Sequence, residues 1–170
     1  IEVKQSDSDD SVTQIMLVND NVPFLVDSAT MACAEFGFTI KLISHPIIQI
    51  KGEKNNRVLI DKPKNGETEA KSLIYIEVKR IDNSKQAQVF EDYLRHVFTQ
   101  IRKAVNDWQL MLQVMETAKN NLGLLDSKKV RTEQQAFVDW MVDDNFTFLG
   151  YRKYTRKKDN LVAVKNSIGS

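Results

Sequence analysis

The residues best placed to bind a small ligand lie in one turn, Asn19–Phe24, which reads NDNVPF. The turn follows an apolar run of strand length, Thr13–Val18, and precedes an amphipathic helix. A helix N-terminus attracts carboxylates and phosphates, because its first backbone N–H groups have no partner within the helix. The carboxylate of Asp20 could hold an ammonium group beside it. This charge layout matches a free amino acid.

The candidate effector-binding residues are therefore Asp20, Asn21, Val22, Pro23 and Phe24. The alternative interpretation is that Asp20 and Asn21 only cap the helix, since Asp and Asn are preferred at that position. Asp27 could pair with Asp20 for acid–base chemistry, but a carboxylate in the first helical turn more often complements the helix dipole. The sequence leaves both roles of the turn open.

Other chemistry has little support in the sequence. A dinucleotide site needs a glycine-rich turn, and no GxGxxG occurs among the six glycines. His45 and His96 fall in no zinc-binding spacing, and His45 beside Pro46 is interpreted as structural. We therefore predict no catalytic residue, no metal ligand and no cofactor site in this chain.

Composition sets wider limits on function. The 170 residues carry a formal net charge of +1, which gives no general attraction to nucleic acid or membrane. The single cysteine, Cys33, excludes an internal disulfide and favours a reducing cytoplasm. No apolar run approaches membrane-spanning length, and the first residues do not resemble a signal peptide. The first and last residues suggest a piece of a longer protein.

The apolar periodicities predict the order of elements. Residues 1–10 are polar and are expected to be flexible. Helical spacing covers Pro23–Phe36 and Ser84–Asp107, and we expect both helices on one face of a sheet. The strands are predicted before the first helix, on both sides of Pro46, at Val58–Ile60 and at Ser72–Arg80, with Pro46 at an edge or a bulge. The stretch 11–107 thus reads β-α-β-β-α with an inserted hairpin.

The C-terminal part of the sequence is compatible with two connections. Helical spacing continues through 108–145, with a capping-box pattern at Thr132 and Gln135. Residues 146–170 read as a terminal hairpin, with a strand at Phe146–Tyr154, a turn at Lys157–Asn160 and a return strand at Leu161–Val164. A strand from Phe146 would complete the βαββαβ order of an α+β, ferredoxin-like domain, but these residues could equally start a separate β unit.

Several of these stretches resemble one family. PFLVDS (Pro23–Ser28), the pair His45-Pro46 and DDNFTFLGYR (Asp143–Arg152) are similar to the N-terminal region of the large bacterial NAD-specific glutamate dehydrogenases. The resemblance covers Ser11–Tyr151. It implies an ACT-like regulatory module, in which the turn after the first strand holds an amino-acid effector. Here Phe24 stands where the ACT pattern has glycine, and one extra residue separates Asp20 from Pro23.

Three functions follow from the residues and the resemblance. The first is a non-catalytic regulatory and assembly module of a homo-oligomeric glutamate dehydrogenase that uses NAD elsewhere in its chain. The second is a structural module that pairs with another domain or subunit through a sheet edge. The third, RNA binding, is disfavoured because the strand SLIYIEVKR offers one tyrosine beside an acidic residue instead of an RNA-stacking motif.

Overall fold

The computed structural model describes residues 1–52, 56–61, 68–122 and 128–169. They form two compact units, Ile1–Thr99 and Gln100–Ser170, which are described separately. The division falls within a helix, eight residues before the boundary predicted at 107. A helix that crosses a boundary gives no break in periodicity, so the sequence pattern does not mark this division.

The first unit contains one antiparallel sheet. Its strands within the described residues are β1 (Glu2–Gln5), β2 (Val12–Asp20), β3 (Ile40–Ser44), β4 (Ile47–Lys51), β5 (Val58–Leu59) and β6 (Glu69–Lys79). They are ordered β1-β2-β6-β4-β5, and β3 also pairs with β6. Because β2 occupies one edge of β6, β3 and β4 follow each other along the opposite edge. The interruption between them lies at His45-Pro46, as predicted for a residue that cannot donate to the ladder.

The predicted flexible segment 1–10 is wrong at its beginning. Glu2–Gln5 forms β1, which pairs antiparallel with β2 from Glu2 opposite Met16 to Gln5 opposite Thr13. Side-chain bonds extend the pairing, since the Gln5 amide donates to the Ile81 carbonyl oxygen at 2.9 Å. The outer edge of β2 is therefore filled by residues that precede it in the chain.

The core of the first unit lies on one face of the sheet. Three side chains of β2 are fully buried: Thr13, Ile15 and Leu17. They stand opposite three fully buried side chains of β6, which are Val78, Ile76 and Ile74. Alternation along both strands places these side chains on the same face. Two helices cover it, α1 (Leu25–Glu35) and the first part of α2 (Ser84–Leu122).

An aromatic cluster joins the two helices. The ring of Phe90 on α2 lies edge-to-face against Phe36 and Phe38, with centroid distances of 5.1 Å and 4.9 Å. The Tyr93 hydroxyl donates to the Glu35 carboxylate at 2.5 Å. The helices α1 and α2 contact each other, and only one face of the sheet is buried in the described residues. Both helices therefore lie on that face, as predicted.

Local chemistry sets the helix ends. The side-chain oxygen of Asn83 accepts from the backbone N–H groups of Lys85 and Gln86, which caps α2 at the predicted position. Gly37 follows α1 with φ of 71°, a left-handed conformation that glycine adopts without strain. At its start α1 is shorter than predicted, because Pro23 and Phe24 form a turn before Leu25.

The second unit contains the rest of α2, α3 (Lys128–Trp140), an irregular turn (Met141–Asn145) in which Asp143 and Asp144 leave the helical conformation, and a hairpin of β7 (Gly150–Lys157) and β8 (Asn160–Gly169). Within the described residues β7 pairs with β8 alone, so the predicted completion of the first sheet from Phe146 is wrong and the alternative of a separate β unit holds. The predicted capping box at Thr132 is also wrong, since α3 begins four residues earlier. Among the described residues, no helix is long and apolar enough to span a membrane.

Candidate functional site

The predicted turn joins β2 to α1 through four residues, Asn21–Phe24. The Asn21 backbone N–H donates to the Ala70 carbonyl oxygen at 3.4 Å, which extends the pairing of β2 and β6 by one residue. Pro23 and Phe24 then turn the chain, and the Ser28 N–H bonds to the Phe24 carbonyl oxygen at 3.0 Å. The turn is therefore short and fixed at both ends by backbone hydrogen bonds.

Phe24 has φ of 70° and ψ of 0°, in the left-handed region that non-glycine residues rarely adopt. Phe24 stands where the resembled ACT pattern has glycine, a residue that adopts this conformation without strain. The ring is 44% exposed, and it does not enter the core. A strained backbone that persists at a turn is frequent at binding sites, where neighbouring structure holds it in place.

Replacing Phe24 by glycine should relieve this strain. We expect Phe24→Gly to be more stable than Phe24→Ala by about 1 kcal/mol, because both variants lose the ring and only glycine adopts φ of 70° without cost. Urea denaturation followed by circular dichroism would measure the difference. Equal stabilities for the two variants would show that the turn is not strained.

Among the residues that the structure describes, no side chain caps the N-terminus of α1. The capping role predicted for Asp20 and Asn21 is therefore wrong. The first backbone N–H groups of α1 are thus not used by the side chains that precede it, and the acidic residue of the first turn is Asp27. An uncapped helix N-terminus retains its partial positive charge and its hydrogen-bond donors for an anion.

Asp20 forms an ion pair with Lys71, its neighbour across the strands. Lys71 also lies 3.0 Å from the Glu69 carboxylate and is only 13% exposed in its side chain. The hydrogen bond to Asp20, followed by that to Glu69, raises the pKa of Lys71. The ammonium group predicted to pair with Asp20 is thus supplied by Lys71 of the same chain. Lys71 also has the Glu69 carboxylate as an alternative partner.

Asn19 was predicted as part of the turn but not as a candidate binding residue. Its side-chain nitrogen is buried and has no hydrogen-bond partner within the described part of the chain. Alternation along β2 places it on the face that carries α1, opposite Ser72 of β6. A buried donor without a partner costs about 1–3 kcal/mol, so it calls for an explanation. The sequence signal for a buried Asn19 was its spacing, since it continues the alternation of Ile15 and Leu17 on the apolar face of β2.

Ser72, which stands opposite Asn19 on this face, contacts His45. Ser72 is fully buried, and its hydroxyl lies 2.6 Å from Nε2 of His45 at the interruption between β3 and β4. His45 thus takes part in a hydrogen bond within the fold. No group of three or more potential metal-ligating side chains occurs among the described residues.

Cys33 does not contribute a reactive group. It is fully buried on α1, and burial raises the pKa of its thiol to about 11. The thiol therefore stays protonated at neutral pH and behaves as a small apolar core residue.

Two helices over one face of an antiparallel sheet, with a tight turn between the first core strand and the first helix, define an ACT-like α+β domain. The family model for the ACT1 domain of glutamate dehydrogenase matches residues 1–94. The chain belongs to this glutamate dehydrogenase ACT1 domain family, and the resemblance predicted from its motifs is confirmed.

Two curated relatives extend the similarity into the second unit. The NAD-specific glutamate dehydrogenase of Halomonas elongata is 31% identical over 168 residues, covering 91% of this chain and 10% of that protein. The NAD-specific glutamate dehydrogenase of Pseudomonas aeruginosa is 24% identical over 152 residues, covering 84% of this chain and 9% of that protein. The chain thus spans about a tenth of the length of these relatives.

Proposed function

We propose that this chain is the N-terminal regulatory module of an NAD-specific glutamate dehydrogenase and binds a free amino acid as effector at the turn between β2 and α1. The parent enzyme would deaminate L-glutamate oxidatively to 2-oxoglutarate, with NAD bound elsewhere in its chain. In this proposal the module catalyses nothing. Its partners are the other domains of the parent chain and further copies of the enzyme in the cytoplasm.

The observation that carries the effector site is the group of unused donors on one side of the turn. Within the described part of the chain, no side chain caps α1 and the side-chain nitrogen of Asn19 has no hydrogen-bond partner, and both belong to the same face of the sheet. Both are donors, so together they suit the carboxylate of an amino acid. A ligand that accepts these hydrogen bonds would remove the cost of the buried Asn19 nitrogen.

Asp20 is the proposed partner of the ammonium group. Alternation along β2 turns its side chain to the sheet face opposite Asn19, so it can reach a ligand at the turn only around the end of the strand, of which it is the last residue, 63% exposed. In the unliganded protein Lys71 neutralises Asp20, and Glu69 offers Lys71 an alternative partner at 3.0 Å. Ligand binding would therefore exchange one ion pair for another and leave no charge unpaired.

The proposal predicts that at least one common amino acid raises the melting temperature of the 170-residue chain. At a ligand concentration one hundred times Kd, stabilisation of about 2.7 kcal/mol should raise it by roughly 5–10 °C. Thermal denaturation of the chain with each amino acid in turn measures this shift. Asp20→Ala should reduce the shift by more than half, and its own stability should change little because Lys71 keeps Glu69 as a partner at 3.0 Å.

Asp82→Ala is the matched control. Asp82 is also an exposed carboxylate, 84% exposed in its side chain, and pairs with a neighbouring cation, Arg80, at 2.7 Å. It belongs to the connection before α2, away from the turn, so its replacement should leave the ligand response intact. If no amino acid shifts the wild-type chain, the effector proposal fails.

A structural assembly module is the second candidate function. The observation that favours it is the Asp20–Lys71 ion pair, which satisfies Asp20 without a ligand. An assembly module would show self-association or domain pairing together with no response to any amino acid.

A further inference from the structure

We propose that the β7–β8 hairpin binds an extended acidic segment of another protein chain, which adds as a third strand along the outer edge of β7. The site is here called the basic hairpin and is defined by five cationic residues: Arg152, Lys153, Arg156, Lys157 and Lys158. It belongs to the second unit, so the proposal does not depend on effector binding at the turn between β2 and α1.

Positive charge is concentrated in the basic hairpin. Residues 150–169 carry six lysines and arginines and one acidic residue, Asp159. The whole chain carries 24 cationic and 23 acidic residues, so the rest of the chain has an excess of acidic residues. None of the five cations forms an ion pair with another described residue. Like charges that lie close together repel one another, and an acidic partner would offset this repulsion.

The strand β7 is an edge that the rest of the unit leaves uncovered. Each of its eight residues except Tyr151 is exposed. Within the described residues β7 pairs with β8 alone, from Lys157 opposite Asn160 to Gly150 opposite Gly169. A two-stranded hairpin is only marginally stable by itself, and an edge strand offers unpaired N–H and C=O groups to a further strand. A third strand can therefore add along β7.

The base of the hairpin is anchored to α2. The Gly169 backbone N–H donates to the Asp107 carboxylate at 2.8 Å. Tyr151, Lys153 and Val164 line a cavity together with residues 114–121 of α2. The strand pair is thus held in place before any partner binds, which lowers the entropic cost of adding a strand to it.

Alternation places cations on both faces of β7. Arg152 and Arg156 flank Tyr154 on the face turned away from the cavity, and Lys153 and Lys157 lie on the other face. A neighbouring strand with acidic residues at successive positions would meet a cation on either face, and opposite charges attract across paired strands. The Tyr154 side chain is 49% exposed and adds an apolar contact between the two arginines. This pattern suits an extended acidic segment that binds by strand addition.

Other occupants fit the basic hairpin less well. A second copy of the hairpin carries the same charges, and cations on an edge strand keep like strands from pairing. A nucleic acid or an anionic membrane extends beyond the hairpin and would also meet the acidic excess of the rest of the chain. A short acidic segment can follow β7 without leaving it.

Fluorescence anisotropy of the 170-residue chain with a labelled peptide tests the proposal. The probe is an acidic peptide of sequence Glu-Glu-Val-Thr-Glu-Glu, and the comparison peptide has lysine at each glutamate position. We expect saturable binding of the acidic peptide alone, weakened about tenfold when the salt concentration rises from about 0.05 M to about 0.3 M. Replacing both arginines, Arg152→Glu with Arg156→Glu, should weaken binding by about tenfold or more. Both side chains are exposed, so circular dichroism should show an unchanged fold.

Lys79→Glu with Lys85→Glu is the matched control. Both lysines are exposed cations of the first unit, so the pair changes the net charge equally outside the basic hairpin, and binding should persist. An acidic peptide that shows no saturable binding overturns the proposal, as does an equal loss of binding in the two double variants. Tighter binding of an oligothymidine of the same charge, or of phosphatidylserine vesicles, would also overturn it, because the partner would then belong to another class.

Discussion

Replacing Phe90 by alanine should lower the free energy of unfolding of the first unit by about 3–5 kcal/mol. Phe90 is 0% exposed, and removal of a buried aromatic side chain costs both its transfer from water and the cavity left behind. Its edge-to-face contacts with Phe36 and Phe38 add roughly 0.5–1.5 kcal/mol each. Urea denaturation followed by circular dichroism would measure the loss.

The same substitution should also affect the candidate site. Phe36 stands at the end of α1, and its contact with Phe90 anchors that helix to α2. Loss of the contact would let α1 move relative to the sheet, so any amino-acid response should weaken in Phe90→Ala. Phe137→Ala is the control, because Phe137 is 58% exposed and stacks on Trp140 in the second unit. A loss below about 1.5 kcal/mol in Phe90→Ala would contradict the packing described here.

The helix that carries Phe90 shows how far periodicity predicts a core. Helical spacing from Ser84 onward predicts one buried apolar stripe, made of Phe90, Leu94, Val97, Ile101, Ala104 and Trp108. Of these, Phe90, Leu94 and Ala104 are buried. The predicted stripe misses Phe98 and includes Trp108, which is 39% exposed. The periodic signal reports one continuous face, whereas α2 belongs to two compact units and meets different neighbours along its length.

The N-terminal strand could not be predicted from local pattern. Glu2–Gln5 carries two charged residues and a glutamine, which is not a strand signal. It becomes a strand because β2 presents an unpaired edge whose backbone groups need partners. The hairpin β7–β8 was predicted as an element, but its pairing is a tertiary property, and the sequence left two alternatives for it.

The sequence predicted where the candidate site lies, but it predicted only some of the residues that form it. The turn chemistry of Asp20–Phe24 is visible in the sequence, because Asp, Asn and Pro favour turns for known local reasons. The conformation of Phe24 and the unpaired nitrogen of Asn19 depend on neighbours distant in sequence. The partner of Asp20, Lys71, is 51 residues away and becomes its neighbour only through strand register.

Replacing Asn19 by alanine should raise the stability of the unliganded chain and abolish its response to the effector. The buried side-chain nitrogen has no partner in the described residues, so its removal recovers part of a desolvation cost of about 1–3 kcal/mol. Less packing is lost, because the side chain is small. We expect a net gain of about 1 kcal/mol in the free energy of unfolding. Loss of the donor should weaken carboxylate binding at least tenfold.

Asn83→Ala is the control, because it makes the same substitution at an asparagine whose side chain is hydrogen-bonded. The Asn83 side chain accepts two backbone N–H groups at the start of α2, so its loss should cost about 1 kcal/mol and leave the effector response unchanged. Both variants are measured by denaturation with and without the amino acid that shifts the wild-type chain. A gain in the free energy of unfolding for Asn19→Ala and a loss for Asn83→Ala, with the ligand response lost only in Asn19→Ala, would identify Asn19 as a binding residue. Destabilisation of Asn19→Ala by more than 1 kcal/mol would mean that its amide has a structural partner. An unchanged ligand response would remove Asn19 from the site, because a donor kept unpaired for a ligand must matter when the ligand binds.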